Sequence, residues 1–204
     1  HVDSRISPLD DIEIIETELL LSDLSKIGNI IENLKKKNKG KVIDPQLINT
    51  LESAKENMDN GIFLKNWPQN ATESKILTSY NFLTTKPMIY VCNVDENSVL
   101  TGNELSKQVE KIANQTSTKI LNISADIESE ISLIEKIEEK QEFLASIGLN
   151  ETSLSKLIRE GYDLLNLITF FTSGVKESRA WSCQKGSYAP DTGGKIHTDF
   201  KRGF

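Results

Sequence analysis

Residues 88–126 read "MIYVCNVDENSVLTGNELSKQVEKIANQTSTKILNISAD". Met88–Cys92 and Ile120–Ile123 are short apolar runs rich in β-branched residues, and polar loops bound both. Such runs predict buried strands. Between them, "NELSKQVEKIAN" (103–114) carries Leu105, Val109 and Ile112 at helical spacing. Strand, helix, strand is a βαβ unit. It predicts two parallel strands joined by a right-handed crossover, so this part of the chain is α/β.

In an α/β sheet, side chains at the carboxyl ends of the strands face the crevice where ligands bind. The first strand runs out into Asn93, Val94 and Glu96, the second into Ser124 and Ala125. An Asn amide can donate to a purine N7 while its carbonyl tethers a neighbouring loop. A carboxylate three residues on can accept from a base N–H. The guanine-reading form of such a loop is Asn-Lys-x-Asp. Here the second position is Val94, placed for an apolar contact to a ring, and the acid is Glu96, one methylene longer. Ser-Ala at the end of the next parallel strand brings backbone N–H groups beside a base. The competing reading is a plain polar exit from a strand.

Upstream, Ser7 is placed as an N-cap, with Pro8 at the first helical position and acids in the first turn. Ile12, Ile15, Leu19, Leu20, Leu24, Ile27, Ile31 and Leu34 form one apolar face as far as Gly40. A second helix starts at Asp44–Pro45, lines Leu47, Leu51, Ala54 and Met58 along one side, and ends at Gly61. The pair predicts an antiparallel hairpin with a coiled-coil seam. A third helix over 72–82 places Ile76, Tyr80 and Leu83 on one side. Lys35, Lys36, Lys37, Lys39 and Lys41 crowd the hairpin tip. They form a solvated turn or a phosphate-seeking finger, and without interleaved aromatics the finger would not read bases.

Downstream, residues 127–147 predict one helix ending at Gly148, and 152–165 another, capped by Thr152 or Ser153. "LITFFTSGVKESRAWSC" (167–183) predicts a hairpin turning at Ser173 and Gly174, and a helix follows in "GGKIHTDFKRGF" (193–204). "APDTGGKI" (189–196) imitates a phosphate loop. It lacks the first Gly and puts Ile196 where Ser or Thr should bind magnesium.

The 204 residues carry a net charge of −6, so the chain as a whole is no general polyanion binder, and DNA is not an expected partner. Two cysteines far apart, Cys92 and Cys183, predict buried thiols and a reducing compartment. No stretch approaches the ~20 apolar residues of a membrane span, so the expected location is cytoplasmic, with no membrane partner. The sequons at Asn70, Asn114, Asn122 and Asn150 then fall by chance. His1 and His197 are the only histidines, and with no ligands at metal spacing no metal site is expected. The chain opens on His1 and closes on "KRGF", which reads as an interior piece of a longer protein.

"HVDSRISPLDDIEIIETELLLSDL" (1–24), "KPMIYVCNVDE" (86–96) and "RAWSCQKGSYAPDTGGKIHTDFKRGF" (179–204) together resemble the YchF family of Obg-like ATPases, in the right order over essentially the whole chain. The resemblance implies a P-loop GTPase-like domain interrupted by a helical coiled-coil insert and followed by a TGS domain of β-grasp type. It implies binding and hydrolysis of ATP, usually preferred over GTP, with magnesium, and association with the ribosome or ribosomal RNA. Expected boundaries are 1–7 for a remnant of the nucleotide domain, 8–86 for the insert, 87–166 for the rest of that domain and 167–204 for the start of TGS. Asn93, Val94 and Glu96 match the family's Asn-x-x-Glu base motif. Ser124 and Ala125 match its last GTPase motif, with Asp126 where Lys is common. His1 matches a His suggested to assist hydrolysis. The phosphate loop and switches would lie before His1, so this stretch alone is expected to hold no nucleotide and be inactive. The alternative is a non-enzymatic module docking on RNA or protein through the helical hairpin.

Overall fold

The computed structural model describes residues 6–37 and 44–204. The chain divides into two compact units, residues 1–87 and 88–204.

The first unit is helical: α1 (Pro8–Lys37), α2 (Pro45–Asp59) and α3 (Ala71–Tyr80), with single 3₁₀ turns at Leu64–Asn66 and Leu83–Thr85. Asp44 caps α2 by accepting from Gln46 N–H at 2.9 Å, with Pro45 in the first turn as its fixed φ favours. Asn70 caps α3 in a reciprocal capping box with Glu73, so this sequon asparagine is a helix start. The core gathers Ile27, Ile31, Leu51, Ala54, Met58, Leu64, Leu77 and Phe82.

Only part of the expected α1 face is core. Its first buried residue is Asp23, while Ile15 is 54% exposed. The reason is length: α2 has half the residues of α1 and covers half of its ~45 Å. Asp23 stands among apolar neighbours because its carboxylate caps the 3₁₀ turn. It accepts from Leu83 N–H at 3.0 Å and Thr84 N–H at 2.7 Å. The third helix ends two residues earlier than expected and buries Leu77, while Leu83 is outside it and exposed.

The second unit is α/β. Strands β1 (Ile89–Asn93) and β2 (Lys119–Ile123) pair in parallel, with Ile89 opposite Lys119 and Asn93 opposite Ile123. Helix α4 (Glu104–Gln115) connects them and turns Ser106, Val109 and Ala113 inward. The expected Leu105 and Ile112 flank that line and are half-buried.

The helix expected over 127–147 is two: α5 (Ala125–Leu133) and α6 (Ile137–Ser146), with an extended break at Ile134–Lys136. The break lets Ile127, Ile131 and Leu144 share one apolar cluster. In an unbroken helix Ile131 and Leu144 would stand ~20 Å apart. Helix α7 (Ser153–Leu164) starts at Thr152, whose hydroxyl accepts from Ser155 N–H at 3.0 Å.

Strands β3 (Leu167–Ser173) and β4 (Ser178–Gln184) form an antiparallel hairpin closed by Gly174 N–H donating to Glu177 O at 2.9 Å. The terminal helix is also two, α8 (Ala189–Ile196) and α9 (Thr198–Arg202), parted by extended His197, whose Nδ1 accepts from Asp199 N–H. "APDTGGKI" is thus α8 itself, with no loop to cradle a phosphate. Cys92 and Cys183 are free thiols, and partial burial raises the Cys92 pKa. Among the described residues no helix is long and apolar enough to cross a membrane.

Candidate functional site

The parallel pairing brings the ends of β1 and β2 together, as the sequence required. Val94 N–H extends the ladder by one bond, donating to Ile123 O at 2.9 Å. Beyond it the side chain of Asn93 takes over: its Oδ1 accepts from Ala125 N–H at 3.0 Å, across 32 residues of chain. The Asn93 carbonyl therefore ties one loop to the start of α5, and its amide nitrogen keeps its donors at an exposed position.

The four expected base contacts besides Asn93 divide by burial. Glu96 is exposed, opens a 3₁₀ turn (Glu96–Ser98), and its carboxylate has no partner among the described residues. Ala125 is exposed but its N–H is committed to Asn93. Ser124 is fully buried and its hydroxyl caps α5, accepting from Ile127 N–H at 3.5 Å, so its side chain shapes the site from beneath. Val94 is only 7% exposed. Val94 thus stands at a buried position directly after the last strand residue, at the start of the loop that carries Glu96.

Two residues that hold this loop escaped the sequence reading. Asp95 accepts from the Ser98 hydroxyl at 2.9 and 2.8 Å, which leaves Glu96 as the uncommitted acid of the pair. Gly102 has φ +71°, and a Cβ there would lie 2.5 Å from Ser106 Oγ, so only glycine closes the turn into α4. Asp-x-x-Ser and a Gly just before an Asn cap were the available signals.

Of the lysine tip, Lys35 pairs with Glu52 at 2.7 Å and Lys36 with Glu32 at 2.5 Å, both on the surface. The side chain of Lys37, and Lys39, Lys41 and Gly40, lie outside the described residues, as does His1. No group of three His, Cys, Asp or Glu comes together as metal ligands would, again among the described residues.

Comparison with known proteins gives one consistent answer. A family model described as "YchF-GTPase_C: Protein of unknown function (DUF933)" matches residues 167–204. The chain is 40% identical to the ribosome-binding ATPase YchF of Escherichia coli O157:H7, covering 100% of the chain and 56% of that protein. It is 37% identical to the ribosome-binding ATPase YchF of Bacillus subtilis (strain 168), with the same coverage. The solved structure of the Schizosaccharomyces pombe YchF GTPase superposes with a TM-score of 0.85 at 27% identity, over 100% of this chain and 56% of that one. The chain thus spans a little over half the length of the relatives it matches.

Proposed function

The chain belongs to the YchF family, and from that premise we propose that its second unit is the base-reading edge of the nucleotide-binding domain of a ribosome-associated ATPase. The observation that carries this reading is the Asn93–Ala125 tether beside an uncommitted Glu96. A loop pinned at the strand end costs little further ordering when a base arrives. Asn93 anchors either purine through N7, an acceptor on both. Glu96 sets the choice between them: adenine presents a bare acceptor at N1, which repels a close carboxylate, and guanine presents two donors. A longer side chain need not stand against N1. The bound nucleotide's phosphates and magnesium supply the reacting groups and their charge stabilisation, and the residues of this chain orient the base end.

The test is base selectivity in the complete protein. Glu96→Asp is expected to move the ratio of ATP to GTP dissociation constants about fivefold toward GTP, the yield of one modestly aligned donor pair. An unchanged ratio overturns the assignment of Glu96. Val94 is left untouched, because a lysine at that buried position would unseat the loop.

The helical unit serves as the coiled-coil insert, and the β3–β4 hairpin with α8 as the opening of a TGS domain. Ribosomal RNA is the partner of the lysine tip: Lys35, Lys36, Lys37, Lys39 and Lys41. The two ion pairs seen there do not oppose this, since exposed pairs are worth ~0–1 kcal/mol and yield to a phosphate. Replacing Lys35 and Lys36 by Gln should make ribosome binding less salt-dependent, by about one unit of log–log slope for each phosphate no longer neutralised. Identical slopes in variant and parent would end the proposal.

A further inference from the structure

Between α3 and the two 3₁₀ turns of the first unit lies an open pocket of ≈430 Å³, within the ~300–1,000 Å³ of small-molecule sites. It is lined by Lys65, Trp67, Gln69, Thr78, Thr85 and Lys86, and its apolar lining is Leu64 and Leu77, both buried. The polar groups are sorted by their existing bonds. Thr78 Oγ1 donates to Ser74 O and Thr85 Oγ1 to Phe82 O, each at 2.7 Å, and Gln69 Nε2 donates to Leu64 O. Both threonine hydroxyl hydrogens and one of the two Gln69 amide hydrogens are committed to backbone, which leaves three side-chain oxygens as acceptors beside the Ser74 hydroxyl. The Trp67 indole N–H has no protein partner among the described residues, while its ring packs against the core and is held in place.

Two lysines complete the lining. Lys86 Nζ donates to Asn81 Oδ1 at 3.2 Å, and Lys65 is held near Glu16 of α1. Partial burial lowers the Lys65 pKa, so an anion beside it would favour the charged form.

A fixed aromatic ring, acceptors for N–H groups and two cations suit a ligand that is flat, rich in N–H donors and anionic at one end. A metal cation is excluded by the lysines, and a bare phosphate would leave the aromatic ring and the acceptors unused. We propose that this pocket takes a nucleoside monophosphate unit, with its base on Trp67 and its phosphate between Lys65 and Lys86. That unit can be a residue of a single RNA strand or a free nucleotide, which share this chemistry. Nothing in the proposal depends on Asn93 or Glu96.

The test uses the 204-residue chain carrying Trp181→Phe, which leaves Trp67 as its single indole. Adenosine 5′-monophosphate and an eight-residue oligoadenylate are titrated while the Trp67 indole cross-peak is followed by ¹H–¹⁵N NMR. Saturable shifts are expected with both probes. Tighter binding of the oligomer assigns the pocket to a strand, and equal binding assigns it to a free nucleotide. Lys86→Glu, at an exposed position outside the core, should weaken binding ~10-fold or more, whereas Asn93→Ala should leave the indole titration unchanged. No saturable shift at millimolar ligand overturns the proposal. So does a titration indifferent to Lys86→Glu, or one abolished by Asn93→Ala.

Discussion

Asp23→Ala is expected to destabilise the first unit by ~3 kcal/mol, an equilibrium shift of more than a hundredfold. Asp23 is 1% exposed and accepts the Leu83 and Thr84 N–H groups, and Thr84 is itself buried. Truncation leaves both donors without that partner, the Thr84 N–H at a buried position and the Leu83 N–H at a partly buried one. Removing the carboxylate also relieves its own desolvation, which is why the figure stays below the sum of two charge-assisted bonds. Asp23→Asn should recover only part of the loss, because one side of its amide would present N–H to N–H. The measurement is urea unfolding followed through Trp67 fluorescence in a Trp181→Phe background, so that the first unit is read alone. A midpoint and slope equal to the parent would show that the 3₁₀ turn holds without Asp23.

Asn93→Ala in the complete protein is expected to weaken ATP and GTP together, by ~10–100-fold, with their ratio held within about twofold. One substitution removes two things: a donor for a purine N7 and the acceptor that ties Ala125 N–H. Asn93→Asp separates them. It keeps an oxygen for Ala125 N–H but offers N7 no donor, so amide exchange at Ala125 should stay slow while nucleotide affinity stays lost. If Asn93→Ala changes neither dissociation constant, the loop at 93–98 is only a strand exit. If it changes one alone, Asn93 discriminates and the roles given to Asn93 and Glu96 must be exchanged.

The sequence by itself determined the elements whose cause is local. The β-branched runs at 88–92 and 120–123 had to be strands, and the helix between them required parallel pairing, as observed. The burial expected of them holds only for Leu121, since every residue of β1 is half-buried or exposed. Capping chemistry fixed the start of α2 at Asp44–Pro45 and of α7 at Thr152. The hairpin turned beside the expected point, over residues 174–177, with Ser173 still paired to Ser178. The candidate site was legible to the same extent: parallel strands necessarily align their carboxyl ends, so Asn93, Glu96, Ser124 and Ala125 could be placed near one another before any coordinates.

Tertiary structure decided what depends on partners distant in sequence. Periodicity marks every apolar residue along α1, but only a partner of sufficient length buries them, and α2 stops halfway. The same periodicity runs through 127–147 without a signal for the break, because the gain comes from Leu144 reaching Ile131 across it. The burial of Val94 at the strand end was likewise set by its surroundings. Asp23 is core because its partners lie 60 and 61 residues away, beyond the reach of any local pattern. The Asn93 side chain could have pointed anywhere at an exposed strand end. Its bond to Ala125 exists because the register of β1 against β2 sets those two groups at hydrogen-bonding distance, and register is a property of the pair, not of either strand.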